Sequence, residues 1–460
     1  MTNAYKATVN IVPSERQLNL KTHKFGAFVY FGMNTFTAAD IGSGFTSPKT
    51  FGPEDFSAEN IVSAVKSAGM TSLVLTVKHY DGFCLWPSRQ TDYTIAESNW
   101  MDGGGDIVKA ISDECARQGI AFGIYFPVWD KHEESYGSGE QYDNFVKGQL
   151  AELLTDYGDI FMVWLDHTAG KGNNGKIQSS FDWNGYYKLI RLLQPNAIIA
   201  GHGPDARDLG NHRGVCRTSE WSVVPKSLGP DENGLIHFGD TMKLDLGSRK
   251  AIKREKEFIW YPAVALVPMR PNWFYRSEDD VVVKTKDKII KLYYNSVGAN
   301  TALYLGVAVD KRGRIPSVDS QILKNLGKDL KLMFGYNLAD SAEFSASSSL
   351  SELYSPERIK LQNGFWRPAE GDKKPELIIK LSEPDMFDKI VISENIANGQ
   401  HVEKFRVYYK NEKNKWKLFY KGTVIGSERI CTSKPVKSDE IKLVFEQYRD
   451  FFEIFSVAIN

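Results

Sequence analysis

The chain has 460 residues, of which 42% are hydrophobic and 25% are charged, a composition typical of an ordinary globular protein. This length predicts two or three domains, although a single α/β barrel can take up more than about 250 residues. The formal net charge is +0, and lysine and arginine form no sustained block, which argues against a nucleic-acid or membrane-surface partner.

Cysteine usage and the first residues narrow the class of protein further. The four cysteines lie far apart without CxxC spacing, so we expect neither a disulfide framework nor a zinc site. No apolar run approaches the roughly 20 residues that cross a bilayer, and no membrane span is expected. The opening MTNAYKATVN has no hydrophobic signal core, which indicates either a cytoplasmic protein or one whose leader has been removed.

Apolar strands alternate with helices through the first 200 residues. The predicted strands are 25–33, 71–77, 120–126, 160–166 and 197–201. The predicted helices lie within 57–68, after the first-turn acid Asp106, around 141–156 and around 184–193. This alternation indicates parallel βαβ units.

The alternation continues less regularly up to residue 338. Further predicted strands are GVCRTSEW (214–221), FIWYPAVALV (258–267) and TALYLGV (301–307), with helices expected around 283–297 and 318–334. Eight strands favour a (β/α)8-like barrel over a doubly wound sheet, and FGMNTF after the first strand is not a dinucleotide-binding fingerprint. We therefore predict an α/β fold whose first domain, residues 1–338, is this barrel.

Residues 339–460 have a different pattern. After the serine-rich stretch SASSSLSE come short runs of alternating polarity, among them ELIIKL, KIVISE and IKLVFEQY. A hairpin turn is expected from Asn411 to Lys415. These features predict an all-β sandwich of about 120 residues. We expect this domain mainly to dock against the barrel, with glycan binding as the alternative.

Reactive side chains in parallel barrels collect at the carboxyl ends of the strands. Those ends carry Tyr30, His79, Tyr80, Asp81, Tyr125, Trp129, Trp164, Asp166, His202, Glu220 and Trp221. The set is rich in aromatic and carboxylate groups. It contains no H-x-H after the first strand and no H-E-x-x-H, so no metal ligands are predicted.

Asp166 and Glu220 are the candidate catalytic pair. Taken singly, Asp166 is equally well explained as a helix N-cap, and Glu220 as a salt-bridge partner in a loop. Together, at the ends of separate strands beside Trp164 and Trp221, they match the requirement of two-carboxylate glycoside hydrolysis. One carboxylate attacks the anomeric carbon, while the other, kept protonated by an apolar setting, protonates the departing oxygen.

Several motifs in order resemble the family 29 glycoside hydrolases, the α-L-fucosidases, and most of all the branch that prefers α-1,3/1,4 linkages. They are FGAFVYFGMNTFT, VKHYDGFCLWPS, YGDIFMVWLD, LQPNAII, GPDARDLGNHRGVCRTSEWSVV and RPNWFY. The likeness covers the barrel, and the β-domain resembles the discoidin-like sandwich that follows it in that family.

The resemblance implies a role for individual residues. Asp166 falls on the nucleophile and Glu220 on the acid/base of a retaining double displacement that uses no metal or organic cofactor. The expected substrate-binding residues are Tyr30, Asp40, His79, Tyr80, Tyr125, Trp129, Trp164 and Trp273. The expected partner is an oligosaccharide or other glycan, and the expected location is the periplasm or the outside of the cell.

The hydroxyl-reading positions depart from the family pattern. The usual KHHDGF is KHYDGF here, so Tyr80 replaces a histidine, and Tyr30 replaces a second one. Asp40-Ile41 stands where Glu-Trp is expected, and Val264 stands where the branch has Glu. Because both candidate carboxylates are kept, these changes predict an altered sugar specificity.

We therefore expect an exo-acting glycosidase that removes terminal α-L-fucosyl or closely related L-sugar residues. The four departures are also compatible with neutral drift within an ordinary fucosidase, or with loss of activity. The alternatives from other classes are a non-catalytic carbohydrate-binding protein on an inert barrel and a barrel hydrolase of another glycoside family. The oligomeric state is left open.

Overall fold

The computed structural model describes residues 3–237 and 243–460. The strands of the first part are β1 (Phe25–Tyr30), β2 (Ser72–Thr76), β3 (Ala121–Pro127), β4 (Met162–Asp166), β5 (Ile198–Gly201), β6 (Ala206–Asp208), β7 (Val223–Pro225), β8 (Phe258–Trp260), β9 (Ala263–Pro268) and β10 (Ala302–Ala308). Eight of them close a barrel in the order β1-β10-β9-β6-β5-β4-β3-β2. All neighbours in the barrel are parallel, whereas β7 and β8 form a separate antiparallel pair.

The longer barrel strands are mainly apolar because both of their faces are buried. Every residue of β1 and β2 is buried. Phe28, Val74 and Met162 point to the core inside the barrel, and Leu73 and Val163 belong to the layer between strands and helices. The carboxyl ends of the strands therefore remain as the place where polar side chains gather.

Helices precede the barrel and connect its strands. They are α1 (Asn3–Val9), α2 (Glu15–Thr22), α3 (Met33–Thr37), α4 (Ala58–Ser67), α5 (Ile107–Gln118), α6 (Glu140–Thr155), α7 (Trp183–Leu193), α8 (Lys286–Ser296) and α9 (Ser317–Phe334). The predicted helices between strands are confirmed, and Asp106 is the N-cap of α5, accepting a bond of 2.8 Å from Lys109 N. The hydrophobic pattern does not predict α1 and α2.

One predicted strand is wrong. Residues 214–221 (GVCRTSEW) are irregular, and the sixth barrel strand is β6, only four residues after β5. Gly201, with φ of +72°, makes the tight exit from β5 that this short connection needs. FIWYPAVALV also divides, because Pro262 cannot donate a ladder bond: β8 precedes it and β9 follows it.

The second part of the chain is antiparallel β-structure. Its strands are β11 (Glu343–Ala346), β12 (Glu376–Glu394), β13 (Val402–Lys410), β14 (Trp416–Gly422), β15 (Arg429–Tyr448) and β16 (Ile454–Ile459). They pair in the order β11-β12-β15-β13-β14, with β16 on β12, around a separate core that includes Trp366 and Phe445. The predicted turn from Asn411 to Lys415 joins β13 to β14. The predicted α/β barrel followed by a smaller all-β domain is thus confirmed.

The predicted domain boundary at residues 338/339 lies between the end of α9 and the start of β11 and stays a prediction. The β-domain packs against the barrel through buried polar contacts. Gln400 accepts a bond of 2.7 Å from Ser222 N, and the Arg449 guanidinium lies 3.8 Å from the centre of the Trp221 ring.

Within the described residues, no helix is both long enough and apolar enough to cross a bilayer.

Candidate active site

A cavity of about 500 Å³ opens at the carboxyl end of the barrel strands. Eight of the ten predicted site residues line it: Tyr30, Asp40, His79, Tyr80, Tyr125, Trp164, Asp166 and Trp273. Trp129 and Glu220 lie outside this lining. The structure therefore brings most of the predicted residues into one cavity, whereas their individual roles stay predictions.

Asp166 ends β4 and is held by three hydrogen bonds. Its Oδ2 accepts from the phenols of Tyr80 and Tyr125, each at 2.6 Å, and its Oδ1 accepts from Thr168 N at 2.7 Å. Burial alone would raise the pKa of this carboxyl, but the bonds from Tyr125, Tyr80 and Thr168 outweigh burial and lower it. Asp166 is thus an oriented, ionised carboxylate at the base of the cavity.

The two phenols that contact Asp166 remain protonated. Burial, together with the negative charge of Asp166, raises the pKa of both Tyr80 and Tyr125. Trp129 packs behind Tyr80, with ring centres 5.1 Å apart, and its indole N–H donates to the carbonyl of Lys171 at 3.2 Å. Trp129 therefore supports Tyr80 from outside the cavity lining, and its role in substrate binding stays a prediction.

His79 and His202 line the cavity as neutral imidazoles. Burial lowers the pKa of His79 to about 4 and that of His202 to about 3, despite the opposing charge of Asp166. Nδ1 of His79 lies 3.3 Å from the amide nitrogen of Asn34, which can only donate, so this assignment leaves the imidazole proton on Nε2. His79 therefore presents a hydrogen-bond donor at neutral pH.

Aromatic rings form one wall of the cavity. The Tyr30 ring stacks on Trp273 with centres 4.9 Å apart and an interplanar angle of 30°, and Phe274 meets Tyr30 edge-on at 5.6 Å. Trp164 packs edge-on against Phe28 of the barrel interior at 5.1 Å. Such faces suit the apolar face of a sugar ring.

The rim of the cavity is more exposed. Asp40 forms an ion pair of 2.9 Å with Arg276, and the neighbouring Ile41 also lines the cavity. Val264, by contrast, is completely buried in β9 within the barrel interior. Of the four departures from the family pattern, three face the cavity and the one at Val264 does not.

Glu220 is buried, with 1% of its surface exposed, in the irregular segment that follows β6. Arg207 contacts its Oε1, and Arg217 Nη1 lies 3.3 Å from its Oε2. Its carbonyl accepts bonds from Asn300 at 2.9 Å and from Gln400 of the β-domain at 3.1 Å. Guanidinium partners favour an ionised carboxylate, whereas a proton donor must be protonated. The acid/base role of Glu220 stays a prediction.

The cavity contains a carboxylate that sequence reasoning missed. Asp208 is the last residue of β6, and its Oδ1 accepts a bond of 2.8 Å from Gly210 N. It therefore occupies the end of the sixth strand, the position that is expected for Glu220. A strand of three residues gives no readable periodicity, so no signal of the hydrophobic pattern could have revealed Asp208.

Further titratable residues line the cavity from neighbouring segments. They include His167, Arg207, His212 and His237. The His212 ring meets Trp273 edge-on with centres 4.9 Å apart, so the segment after β6 contributes to the aromatic wall. Within residues 3–237 and 243–460, no cluster of three or more histidine, cysteine or acidic residues could hold a metal ion.

Comparison with known proteins identifies the family of both domains. The α-L-fucosidase family model matches residues 43–333, and the F5/8 type C domain model matches residues 343–457. Alpha-L-fucosidase 1 of Arabidopsis thaliana is 32% identical over 450 residues, covering 95% of this chain and 85% of that protein. A putative alpha-L-fucosidase 1 of Oryza sativa subsp. japonica is 32% identical over 464 residues, covering 98% of this chain and 86% of that protein.

Solved structures share the fold over both domains. A putative alpha-L-fucosidase from Bacteroides ovatus has a TM-score of 0.87 and 33% identity, covering 100% of this chain and 76% of that one. A Ruminococcus gnavus GH29 fucosidase in complex with fucose has a TM-score of 0.85 and 28% identity, covering 98% and 95%. The chain therefore belongs to the α-L-fucosidase family, the family 29 glycoside hydrolases, and carries an F5/8 type C domain after its barrel.

Proposed function

We propose that this protein is an exo-acting, retaining glycosidase that removes terminal α-L-fucosyl or closely related L-sugar residues from oligosaccharides. The observation that carries the proposal is the carboxylate of Asp166, oriented by three hydrogen bonds at the base of a cavity with an aromatic wall. In this proposal Asp166 attacks the anomeric carbon and forms a covalent glycosyl-enzyme intermediate, which water then hydrolyses.

The proton donor of the first step has two candidates. Glu220 is the residue that the family resemblance implies, and it can donate only when its carboxyl group is protonated, which its contacts with Arg207 and Arg217 oppose. Asp208 already lines the cavity at the end of β6, which is separated from β4 and Asp166 by one strand, β5. A retaining mechanism needs the nucleophile and the proton donor about 5 Å apart. In a sugar-bound structure, the true donor should therefore be the carboxyl group that lies at this distance from Asp166.

The proposed specificity differs from that of an ordinary fucosidase. Tyr30 and Tyr80 place phenols in the cavity where the family has imidazoles, and the Tyr80 phenol is committed to Asp166. A site built to hydrogen-bond particular hydroxyls rejects sugars that lack matching groups. We therefore propose weak activity on unmodified α-L-fucosides and higher activity on a substituted or related L-sugar. The location outside the cytoplasm stays a prediction.

Hydrolysis of an aryl α-L-fucoside separates this proposal from a non-catalytic carbohydrate-binding protein. The proposal expects measurable turnover by the wild type, complete loss in Asp166→Asn, and fucose binding by calorimetry in both proteins. Fucose binding without turnover of any aryl L-glycoside in a panel would favour the non-catalytic alternative. Turnover that survives in Asp166→Asn would remove the nucleophile assignment.

A further inference from the structure

A second groove, of about 610 Å³, lies where the segment 213–218, helix α8 and strands β14 and β15 meet. Six cationic side chains line it: Arg213, Arg217, Lys284, Lys288, Lys291 and Arg429. No aspartate or glutamate is found among the described residues that line it. Arg217 is ion-paired with Glu220, but the other five cations still give the groove a local excess of positive charge in a chain with 57 basic and 57 acidic residues.

Part of this charge has protein partners and part of it does not. Lys284 donates to the carbonyl of Pro268 at 2.6 Å, and Arg429 donates to the carbonyls of Val424 and Thr218 at 2.9 and 3.0 Å. The side chains of Arg213, Lys288 and Lys291 are exposed, and they form no hydrogen bond or ion pair with any residue that the structure describes. Three cations are therefore available to a ligand.

The groove concentrates this charge. Burial and the nearby charge of Lys288 both lower the pKa of Lys284, as is expected where cations lie close together. A concave surface lined by charges of one sign raises the local potential and attracts anions. The planar guanidinium of Arg213 and the ammonium groups suit sulfate or carboxylate oxygens. Tyr294 and Tyr420 add aromatic faces to the same lining.

One segment joins this groove to the active-site cavity. Gly210 and His212 line the cavity, and Arg213, the next residue, lines the groove. Gly214, with φ of +67°, lets the backbone lie against α8, because an added Cβ would come within 2.8 Å of Leu292 Cδ2. A ligand in the groove would therefore contact the same short segment that forms the cavity wall.

We propose that this groove binds the sulfate or carboxylate groups of an acidic oligosaccharide whose terminal L-sugar enters the cavity. Its size suits a small ligand, which favours an oligosaccharide over a nucleic-acid duplex. The inference deepens the proposed function by naming its substrate class. Its link to turnover rests on that function, whereas binding in the groove can be measured without it.

Calorimetric binding of three sugars tests the groove directly. The probes are lactose, lactose 3′-sulfate and sialyllactose, each measured at low salt and at high salt. The sulfated and sialylated probes distinguish sulfate from carboxylate recognition, and a short single-stranded oligonucleotide tests for nucleic acid. We expect at least one acidic sugar to bind about tenfold more tightly than lactose at low salt, and high salt to remove this preference.

The matched variants are Lys288→Gln with Lys291→Gln in the groove, and Lys324→Gln with Lys328→Gln as the control. Both pairs are exposed lysines on one helix, α8 or α9, and both lower the net charge equally. We expect the double variant in the groove to weaken acidic-sugar binding about tenfold, since each exposed ion pair between a lysine and the sugar contributes up to about fivefold. The control double variant should leave binding unchanged. Equal weak binding of all three sugars, equal losses in both pairs, or a preference for the oligonucleotide would overturn the inference.

A kinetic measurement separates this inference from the proposed function. For fucosylated substrates with and without sulfate, the groove pair should raise KM for the sulfated one only and leave kcat unchanged. Acidic-sugar binding that depends on the groove, without turnover of any fucoside, would contradict the proposed function but support the groove. Turnover without any preference for acidic sugars would contradict the groove alone.

Discussion

The phenol of Tyr80 donates a hydrogen bond of 2.6 Å to Oδ2 of Asp166, the same oxygen that accepts a bond of 2.6 Å from Tyr125. Two phenols thus donate to one carboxylate oxygen. They favour the ionised form of Asp166, and they also lower its nucleophilicity, because both hydrogen bonds stabilise the negative charge that must be donated in the attack. The residue that departs from the family pattern at position 80 therefore acts directly on the proposed nucleophile.

Restoring imidazoles should raise fucosidase activity. We expect Tyr30→His with Tyr80→His to increase kcat/KM for an aryl α-L-fucoside by about tenfold or more, because each well-aligned hydrogen bond to the sugar contributes about 1 kcal/mol. Tyr80→Phe is the control, since it removes one of the two hydrogen bonds to Asp166 Oδ2 without adding a donor for the sugar. Robust wild-type activity that falls in the double variant would support an ordinary fucosidase instead.

The proton donor can be identified from its dependence on the leaving group. Replacing the true donor, through Glu220→Gln or Asp208→Asn, should lower kcat/KM for oligosaccharides by about 10²–10⁴, with a much smaller loss for activated aryl glycosides. Azide should partly restore the alanine variant at the same position, because a small anion fits the vacated space. Equal losses on both substrate types would exclude that residue as the acid.

The buried imidazole of His202 should make the protein less stable in acid. The pKa of His202 is lowered to about 3 by burial, so between pH 6.5 and 3 the unfolded chain binds a proton that the folded chain does not. The free energy of unfolding therefore decreases as the pH is lowered through this window. Between pH 7 and 5 the wild type should lose about 2 kcal/mol more than His202→Asn in urea titrations. The exposed His212→Asn serves as the matched control, and parallel pH slopes for wild type and His202→Asn would contradict the prediction.

The β-domain should stabilise the segment that carries Glu220. Gln400 is buried, donates to the carbonyl of Glu220 and accepts from Ser222 N at 2.7 Å. Gln400→Ala leaves a buried N–H without its partner, which should cost about 1–3 kcal/mol in the free energy of unfolding. Gln447→Ala, at an exposed position of β15, should stay within about 0.5 kcal/mol of the wild type. Equal stabilities of the two variants would argue against a tightly docked domain.

The parts of the fold that could be predicted are those with long, uniform patterns. β1 to β5 are runs of apolar residues because both of their faces are buried, and Asp166 stands out as a carboxylate that ends such a run. The three-residue β6 has no such pattern, so the apolar residues of GVCRTSEW resemble the sixth strand instead. That error places Glu220, and not Asp208, at the end of a strand. The contacts of Glu220 with Arg207 and with the β-domain are long-range, and no local pattern encodes them.

The nucleophile is identified most directly by locating the residue that becomes covalently glycosylated. Incubation with a 2-deoxy-2-fluoro-L-fucosyl fluoride slows hydrolysis of the intermediate, so that peptide mapping by mass spectrometry can locate the attached sugar. We predict one adduct per chain, on Asp166, in the peptide that contains YGDIFMVWLD. An adduct on Asp208 or Tyr80 with Asp166 unmodified, or turnover with inverted anomeric configuration and no adduct, would contradict the proposal that Asp166 is the nucleophile.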